Sequence, residues 1–455
     1  MSKTIGVVSL GCSKNRVNTE QMMFLLSQAG YAISGDTDYA DIVLLNTCGF
    51  IDDAKSEAVE TILEFIAAKV EGRVGKLIVA GCLPQRERDV ILKELPEVDA
   101  VVGTGSFDDI VAVVNAVENQ DDLDVPLNSF FGDIDAPVSE VPRIISTSDS
   151  WAYLKIAEGC DNRCAFCSIP DIRGKFRSRS IENIVSEARA LVDSGIRELI
   201  LVAQDVTRYG VDLYGERRLS DLLRELNGID NLRWIRLHYL YPDAFDDELI
   251  DVIAKSDKIL KYLDIPIQHI NDEILRKMNR RGRSEEIIEL FARLRERIPG
   301  VVLRTSLITG LPGEGESEFE ELREFLDNTK IERVGVFAYS PEEGTVAARM
   351  DRPSKDVAEK RASQLLDLQS KIMYNWNLSR VGLETTVLVE GILDAEDSVE
   401  GHNDKHPLCY EARSYAESPD VDGYIMVETN SPLSDTFVDI IITGVENGRL
   451  VGKPR

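Results

Sequence analysis

Three cysteines stand close together in the segment GCDNRCAFCSIPDIRG, residues 159–174. They are Cys160, Cys164 and Cys167, spaced as C-x3-C-x2-C. Thiolates bind soft metals, and tetrahedral zinc sites and most iron–sulfur clusters take four protein ligands. A [4Fe–4S] cluster on these three would leave one iron open to a small molecule that binds through oxygen and nitrogen. The spacing therefore predicts a cluster with a free coordination position.

Zinc, a disulfide and buried structural thiols are the alternatives for this loop. Zinc would need a fourth ligand, and the nearest histidine in the sequence, His238, lies about 70 residues further on. A ligand supplied by the fold stays open. The seven cysteines are expected to be reduced in a cytoplasmic protein, which disfavours a disulfide.

A second set of cysteines follows predicted strands near the N-terminus. Cys12 lies in SLGCSKN, Cys48 in NTCGF and Cys82 in AGCLPQ. Because parallel strands end at one edge of a sheet, the three side chains are expected to meet there. The pattern favours a second three-cysteine cluster over three buried thiols. Cys409 stands alone in a predicted strand and is interpreted as a core residue.

The bulk composition limits where the chain acts and what it binds. Its 455 residues suggest several domains, and 43% are hydrophobic. No apolar run reaches the roughly 18 residues of a membrane span, and the N-terminus lacks a signal-peptide layout, so a cytoplasmic location without membrane contact is expected. The net charge is −28, which repels nucleic acid unless a local basic patch intervenes and attracts a basic protein.

Residues 1–118 alternate short apolar runs with amphipathic segments. The runs IGVVSLG, DIVLLNTCG, KLIVAGCL and AVVGTG are typical of buried parallel strands, and the segments NTEQMMFLLSQAG, KSEAVETILEFIAAK and RERDVILKEL of helices. The alternation predicts an α/β domain with a mostly parallel sheet that positions the first cysteine set. Residues 119–150 are rich in Asp, Ser and Pro, and they are predicted to be a linker.

Residues 151–379 repeat this alternation six times. The predicted strands are WAYLKIA, ELILVAQ, WIRLHYL, YLDIPIQ, VLRTSLITG and RVGVFAYS, which together predict a partial (β/α)6 barrel. Each strand ends abruptly in polar or Gly/Pro-rich residues, which indicates a functional mouth rather than ordinary loop composition. Residues 380–455 alternate strands with turns and lack helices, so the whole chain is predicted to be an α/β multidomain protein with a C-terminal all-β, OB-like barrel.

On these elements, the cysteine loop resembles the radical S-adenosylmethionine superfamily. The resemblance rests on C-x3-C-x2-C, with Phe166 before the last cysteine, in the first loop of a partial barrel. It implies that the open iron chelates S-adenosylmethionine and that one electron splits it into a 5′-deoxyadenosyl radical, which takes hydrogen from an unactivated carbon. The cofactor contacts that it implies are Phe166 near the adenine, Gln204, Arg304 and the turn TGLPGE with Thr309, Gly310 and Glu314.

Over essentially the whole chain, the architecture is similar to the methylthiotransferase family. That family combines an N-terminal cluster domain, a radical domain and a C-terminal TRAM module. The resemblance implies two [4Fe–4S] clusters, on Cys12, Cys48 and Cys82 and on the loop cysteines. It also implies two molecules of S-adenosylmethionine, one as methyl donor and one as radical source, with sulfur delivered from the N-terminal cluster and an external electron donor.

The substrate of such an enzyme is either tRNA adenosine or an aspartate of ribosomal protein S-twelve. Enzymes of the tRNA type typically read YGCQMN at the first cysteine, whereas this chain reads LGCSKN. The blocks DIPIQH, RTSLITGLPGE and FAYSPEEGT are also similar to the ribosomal-protein branch, with free protein or assembled small subunit as the substrate. The tRNA enzyme stays as the alternative function, and a two-cluster electron-transfer protein as the non-catalytic one.

Local charge bears on the same choice. Residues 381–455 hold 15 acidic and 5 basic residues, a net charge of −10 that disfavours RNA and suits a basic protein. A merely solvated acidic surface is the alternative. The basic run RKMNRRGR, from Arg276 to Arg283, fits a substrate carboxylate, ribosomal RNA or a solvated helix end equally well.

Overall fold

The N-terminal part of the chain folds around a six-stranded parallel sheet. The computed structural model describes residues 3–119, 128–393 and 408–455. The strand order is β2-β1-β3-β4-β5-β6, and every pairing is parallel. The strands are β1 (Thr4–Ser9), β2 (Ala32–Ser34), β3 (Ile42–Thr47), β4 (Lys76–Gly81), β5 (Ala100–Val102) and β6 (Asn128–Phe130). The predicted α/β domain is therefore confirmed.

Helices cover both faces of this sheet and bury its apolar strands. β3 is buried at every position, as its unbroken apolar run predicts. One apolar cluster packs β3 and β4 against the first and last helices, and another packs them against the second. The helices are α1 (Ser13–Gln28), α2 (Asp52–Val70), α3 (Cys82–Arg86), α4 (Arg88–Glu94) and α5 (Ile110–Glu118).

The segment predicted to be a linker is tied closely to its neighbours. Its residues 128–130 form β6, which adds a sixth strand to the N-terminal sheet, and its residues 120–127 lie outside the described residues. Arg143 pairs with Glu20 of α1 at 2.6 Å, with both side chains buried, and with Glu187 at 2.7 Å. The two ion pairs of Arg143 therefore connect α1 to the following domain.

Six parallel strands form the predicted partial barrel. Their order is β14-β13-β12-β11-β10-β7, in sequence order from one open edge to the other. A short two-stranded ribbon, β8 (Ala157–Glu158) with β9 (Arg177–Ser178), flanks the loop after the first strand. The barrel strands are β7 (Trp151–Lys155), β10 (Glu198–Val202), β11 (Trp234–Leu237), β12 (Ile259–Asp264), β13 (Val302–Thr309) and β14 (Arg333–Ala338).

Amphipathic helices surround the barrel and bury its outer face in one large apolar cluster. Four of them begin with an N-cap side chain that accepts a backbone N–H, which is the usual role of such a residue. These N-caps are Ser180 before α7, Asp246 before α10, Asn271 before α11 and Ser354 before α14. The helices are α6 (Ile169–Arg173), α7 (Ile181–Asp193), α8 (Val211–Tyr214), α9 (Leu219–Asn227), α10 (Asp247–Lys255), α11 (Asp272–Lys277), α12 (Ser284–Arg297), α13 (Glu316–Thr329) and α14 (Lys355–Ser379).

The C-terminal residues form a closed five-stranded β-barrel, as predicted. The strand order is β15-β16-β17-β19-β18. Cys409 is 6% exposed and packs with Leu393, Met426 and Val451, in agreement with its interpretation as a core residue. The identification of this barrel as a TRAM module stays a prediction. The strands are β15 (Glu384–Ile392), β16 (Leu408–Arg413), β17 (Ile425–Thr429), β18 (Phe437–Glu446) and β19 (Arg449–Pro454).

The loop between β16 and β17, residues 414–422, reaches into the partial barrel. Glu417 is buried and pairs with Arg333 of β14 at 2.8 Å and with Arg380 at 2.6 Å. Ser418 hydrogen-bonds the imidazole of His238 at 2.8 Å. The apolar side chains of the barrel interior also pack against the C-terminal domain through Leu388 and Ala416. Residues of the C-terminal domain therefore pack inside the partial barrel.

Within the described ranges, no helix is both long enough and apolar enough to cross a membrane.

Candidate functional site

The cysteine loop leaves the barrel directly after its first strand and is held by backbone contacts. The N–H of Cys160 donates to the carbonyl of Gly174 at 3.1 Å, and that of Cys167 to the carbonyl of Cys164 at 3.0 Å. The N–H of Ala165 donates to the carbonyl of Met278 at 2.9 Å. The loop is therefore folded back on itself and fixed against the segment that follows β12.

One residue of the basic run belongs to this loop's surroundings. Arg280 is 9% exposed, stacks on the ring of Tyr241 at 4.3 Å and donates toward the Sγ of Cys164 at 3.7 Å. The Tyr241 hydroxyl lies 3.9 Å from the same sulfur. Arg276, by contrast, is exposed and paired with Glu273 at 2.6 Å. The run therefore contributes a buried cation beside Cys164 as well as a solvated helix end.

Burial and mutual repulsion set the protonation of the loop thiols. Burial raises the pKa of Cys160 to about 11, with further contributions from Asp205 and Cys164. Burial also raises the pKa of Cys167, and the neighbouring Cys164 and Cys160 add to that effect. Both thiols are consequently neutral at pH 7 until a metal displaces their protons.

The N-terminal cysteines meet at the edge where β1, β3 and β4 end. Cys12 is the N-cap of α1, and Cys82 begins α3. A Cβ on Gly11 would lie 2.7 Å from the Cβ of Cys48, and one on Gly49 would lie 3.1 Å from the carbonyl carbon of Cys82. Glycine permits these close approaches, and Cys12 and Cys82 are both near enough to Cys48 to act on its thiol electrostatically.

The thiols of this set differ in the direction in which their pKa values are shifted. Burial raises the pKa of Cys48 to about 11, and the neighbouring Cys82 and Cys12 raise it further. Burial would also raise the pKa of Cys12, but the charges of Lys14 and Arg173 and two backbone N–H groups lower it overall. Cys12 is therefore the thiol of this set that ionises first.

A single buried arginine connects the two cysteine sets. Arg173 ends α6, six residues after Cys167, and is 3% exposed. Its guanidinium donates to the Sγ of Cys82 at 3.2 Å, to the side-chain oxygens of Asn15 at 3.0 Å and Asn18 at 2.8 Å, and to Glu158 at 3.3 Å. Sequence reasoning missed this residue, because a lone arginine after a cysteine loop does not indicate a contact in another domain.

Glu158 continues this network toward the barrel. It accepts from Lys155 at 3.0 Å and from the amide of Gln204 at 2.7 Å. Burial would raise the pKa of Glu158, but Lys155 and Arg173 lower it to about 2. The carboxylate therefore stays ionised at neutral pH and joins Arg173 to a predicted cofactor contact.

Replacing Arg173 with Met is expected to lower the free energy of unfolding by about 3 kcal/mol, because a buried charged group loses its partner. Hydrogen bonds to Asn15, Asn18 and Cys82 disappear together with that ion pair. Thermal unfolding under anaerobic conditions measures the change. Arg163→Met is the control, since Arg163 is exposed on the same loop. Equal melting temperatures for the two variants would contradict the connecting role of Arg173.

The predicted cofactor contacts fall into two groups. Phe166, within the cysteine loop, is half-buried in a cluster with Ala165 and Tyr339. Gln204 is held by Glu158, while its Oε1 is buried without a hydrogen-bond partner among the described residues. Arg304 pairs with Asp264 at 2.6 Å inside the barrel. These three have polar or aromatic groups near the barrel interior, and Gln204 has a free acceptor.

The turn after β13 is engaged by other parts of the protein. The hydroxyl of Thr309 donates to the carbonyl of Ala358 in α14 at 2.8 Å. The N–H of Gly310 donates to Glu314 at 2.9 Å, and Arg361 donates to Glu314 at 2.8 Å. These hydrogen bonds attach the turn to α14.

The donor chemistry fits iron–sulfur clusters on both sets. The six cysteines of the two sets form no disulfide in the described structure, and each set has an arginine that donates to one of its sulfurs. Among the described residues, no three His, Cys, Asp or Glu side chains are placed to hold a metal ion. A four-iron cluster distributes its cysteines over different irons, so its ligands stand farther apart than those of a single ion.

Two protein families match successive parts of this chain. Residues 4–103 match the uncharacterized protein family UPF0004, and residues 154–326 match the radical SAM superfamily. The first match covers the N-terminal sheet with its three cysteines, and the second covers the partial barrel from β7 to α13. The radical SAM resemblance is thereby confirmed.

Full-length relatives give a finer assignment. The protein of Acetivibrio thermocellus named ribosomal protein uS12 methylthiotransferase RimO is 44% identical over 100% of this chain and 98% of its own length. The RimO of Lachnoclostridium phytofermentans is 45% identical over 98% of each chain. The chain belongs to the RimO methylthiotransferase family. Because RimO enzymes are radical SAM methylthiotransferases, the predicted type of enzyme is confirmed.

Solved structures share the RimO-family fold at low sequence identity. The radical S-adenosylmethionine methyltransferase TsrM from Kitasatospora setae, with cobalamin and a [4Fe–4S] cluster bound, matches 75% of this chain and 77% of its own at a TM-score of 0.54 and 15% identity. The cobalamin-dependent radical enzyme OxsB matches 82% of this chain and 57% of its own at a TM-score of 0.52 and 14% identity. These likenesses support the fold.

Proposed function

We propose that this enzyme transfers a methylthio group to the β-carbon of an aspartate in ribosomal protein uS12. The observation that carries the proposal is the buried Arg173, which joins a three-cysteine loop on a radical SAM barrel to a second three-cysteine set. Making a radical and donating sulfur are two tasks, and both must act on one carbon. The name of the relatives supplies the protein substrate.

The residues of the chain divide between these tasks. A [4Fe–4S] cluster bound by the loop would supply an electron to S-adenosylmethionine, and one bound by the N-terminal set would supply an iron that binds sulfur. The loop ligands are Cys160, Cys164 and Cys167, and the N-terminal ligands are Cys12, Cys48 and Cys82.

Other side chains orient the cofactor and shape its site. Phe166 lies within the loop, directly before Cys167, where an aromatic ring can pack on the adenine. Gln204 offers its unpartnered Oε1 as a hydrogen-bond acceptor, and Arg304 offers the donors that Asp264 leaves free. Thr309 holds the end of β13 against α14 through its hydrogen bond to Ala358, and Gly310 donates its N–H to Glu314 in the turn that follows.

Charge supports a protein substrate over tRNA. The C-terminal domain has a net charge of −10, and its loop 414–422 is committed to the barrel interior rather than to an external ligand. Such a surface repels a phosphate backbone and attracts a basic protein over distances of about 10 Å. We place the reaction in the cytoplasm, where thiols stay reduced and an external electron donor supplies the loop cluster.

Mass spectrometry of the two possible substrates tests this function. Anaerobically reconstituted enzyme, S-adenosylmethionine, a sulfur source and a reductant are incubated with uS12 or with tRNA. A gain of about 46 Da, for replacement of H by SCH3, is expected on a uS12 aspartate and not on tRNA. Enzyme without S-adenosylmethionine is the control. A gain on tRNA adenosine alone would overturn the assignment.

A further inference from the structure

Lys14 is a buried lysine beside the first cysteine of the N-terminal set. It lies in the first turn of α1, two residues after Cys12, and is 7% exposed. Its Nζ stands 3.5 Å from the centre of the Tyr239 ring. Within the described part of the chain, no carboxylate lies within 4.0 Å of this ammonium. Burial disfavours the charged form, but Tyr239, Cys12 and Glu158 raise the pKa of Lys14 overall, so the ammonium stays charged without a carboxylate in contact with it.

The acidic groups of this region already have other partners. Glu158 accepts from Lys155, Arg173 and Gln204. Asp264 accepts from Arg304 and from the N–H of Tyr239, and Asp420 pairs with Arg16 at 3.4 Å. The cation–π contact with Tyr239 therefore leaves Lys14 able to take an anion from outside the chain.

Lys14 contacts a segment that also approaches the loop cysteines. The segment 238–241 leaves β11 at the mouth of the barrel. Its Tyr239 has a φ of 58°, a conformation that a bulky residue rarely adopts, and this turn directs the ring to Lys14. Two residues later, the hydroxyl of Tyr241 lies 3.9 Å from the Sγ of Cys164. One short segment thus touches the surroundings of both sets.

We propose that Lys14 pairs with the side-chain carboxylate of the acceptor residue and so selects an aspartate as substrate. The inference rests on the proposed function. The carbon to be modified is bonded to that carboxyl carbon, so an ion pair with Lys14 would hold it beside the N-terminal set, next to the segment that also approaches Cys164. The charge thereby selects the acceptor and also positions it.

Binding of two forms of uS12 to the reconstituted holoenzyme tests the pairing. One form has the acceptor aspartate and the other has asparagine, which is isosteric but neutral. We expect the wild-type enzyme to bind the aspartate form at least about 30-fold more tightly, since losing one partner of a buried charge pair costs about 2 kcal/mol or more. In Lys14→Met the preference should fall below about threefold. Methionine occupies the same position in YGCQMN, the sequence typical of the tRNA enzymes.

Two further variants make the comparison specific. Lys14→Arg keeps the positive charge and should retain most of the preference for aspartate. Lys93→Met removes a lysine of the same domain that is 80% exposed and paired with the neighbouring Glu94, and it should leave the preference unchanged. Iron content and the reduction potential of the clusters are measured on each variant, because they respond if Lys14 merely balances the charge of an anionic cluster.

Each outcome separates the pairing from the proposed function. A Lys14→Met enzyme that still prefers the aspartate form overturns the pairing, whether or not its iron content or reduction potential has changed. A wild-type enzyme that methylthiolates uS12 yet binds both forms equally overturns the pairing and leaves the proposed function standing. Absence of methylthio product on uS12 overturns both.

Discussion

Replacing Cys160, Cys164 and Cys167 together with alanine is expected to abolish reductive cleavage of S-adenosylmethionine. The three thiols are the proposed cluster ligands of the loop after β7, and alanine supplies no metal ligand in their place. Iron in the reconstituted protein should fall from about eight to about four per chain, because one of two four-iron clusters is lost. Chromatography of 5′-deoxyadenosine and an iron assay measure both effects.

The control for this loss is the cysteine that lies outside both sets. Cys409→Ala removes a core thiol of the C-terminal barrel, and it should keep the full iron content and cleavage activity. An iron content that the triple substitution leaves unchanged would remove the loop cluster from the proposed function. Retained formation of 5′-deoxyadenosine would do the same for its radical role.

Replacing Cys12, Cys48 and Cys82 together with alanine is expected to separate the two tasks of the enzyme. The loop after β7 is unchanged in this variant, so cleavage of S-adenosylmethionine to 5′-deoxyadenosine should continue. Methylthio product on uS12 should become undetectable, since the ligands of the sulfur-donating cluster are missing. Iron should again fall to about four per chain.

The comparison of the two triple variants gives the decisive result. Both should contain about four irons, and only the N-terminal variant should cleave S-adenosylmethionine. Full methylthio product from the N-terminal variant would show that its cysteines have no part in sulfur transfer. Because Arg173 donates to Cys82, the melting temperature of this variant should be measured, so that a loss of domain contact is recognised.

Side chains that act across domain boundaries could not be predicted from the sequence. The basic run from Arg276 to Arg283 had three equally good interpretations, and the structure divides its members. Arg280 faces Cys164, while Arg276 is a solvated partner of Glu273. Arg276 lies in the last turn of α11 and Arg280 follows the end of that helix, and a charge count along the chain does not reveal their different surroundings.

The sequence by itself determined the local chemistry and the repeating architecture of this protein. The spacing of Cys160, Cys164 and Cys167, the alternation of apolar runs and the strand-end positions of the other cysteines are short-range patterns, and each follows from backbone period or ligand count. Only the tertiary structure decided that Arg173 reaches Cys82, that Lys14 meets Tyr239 and that residues 414–422 enter the barrel. These contacts join residues far apart in the chain, and long-range packing rather than local pattern brings them together.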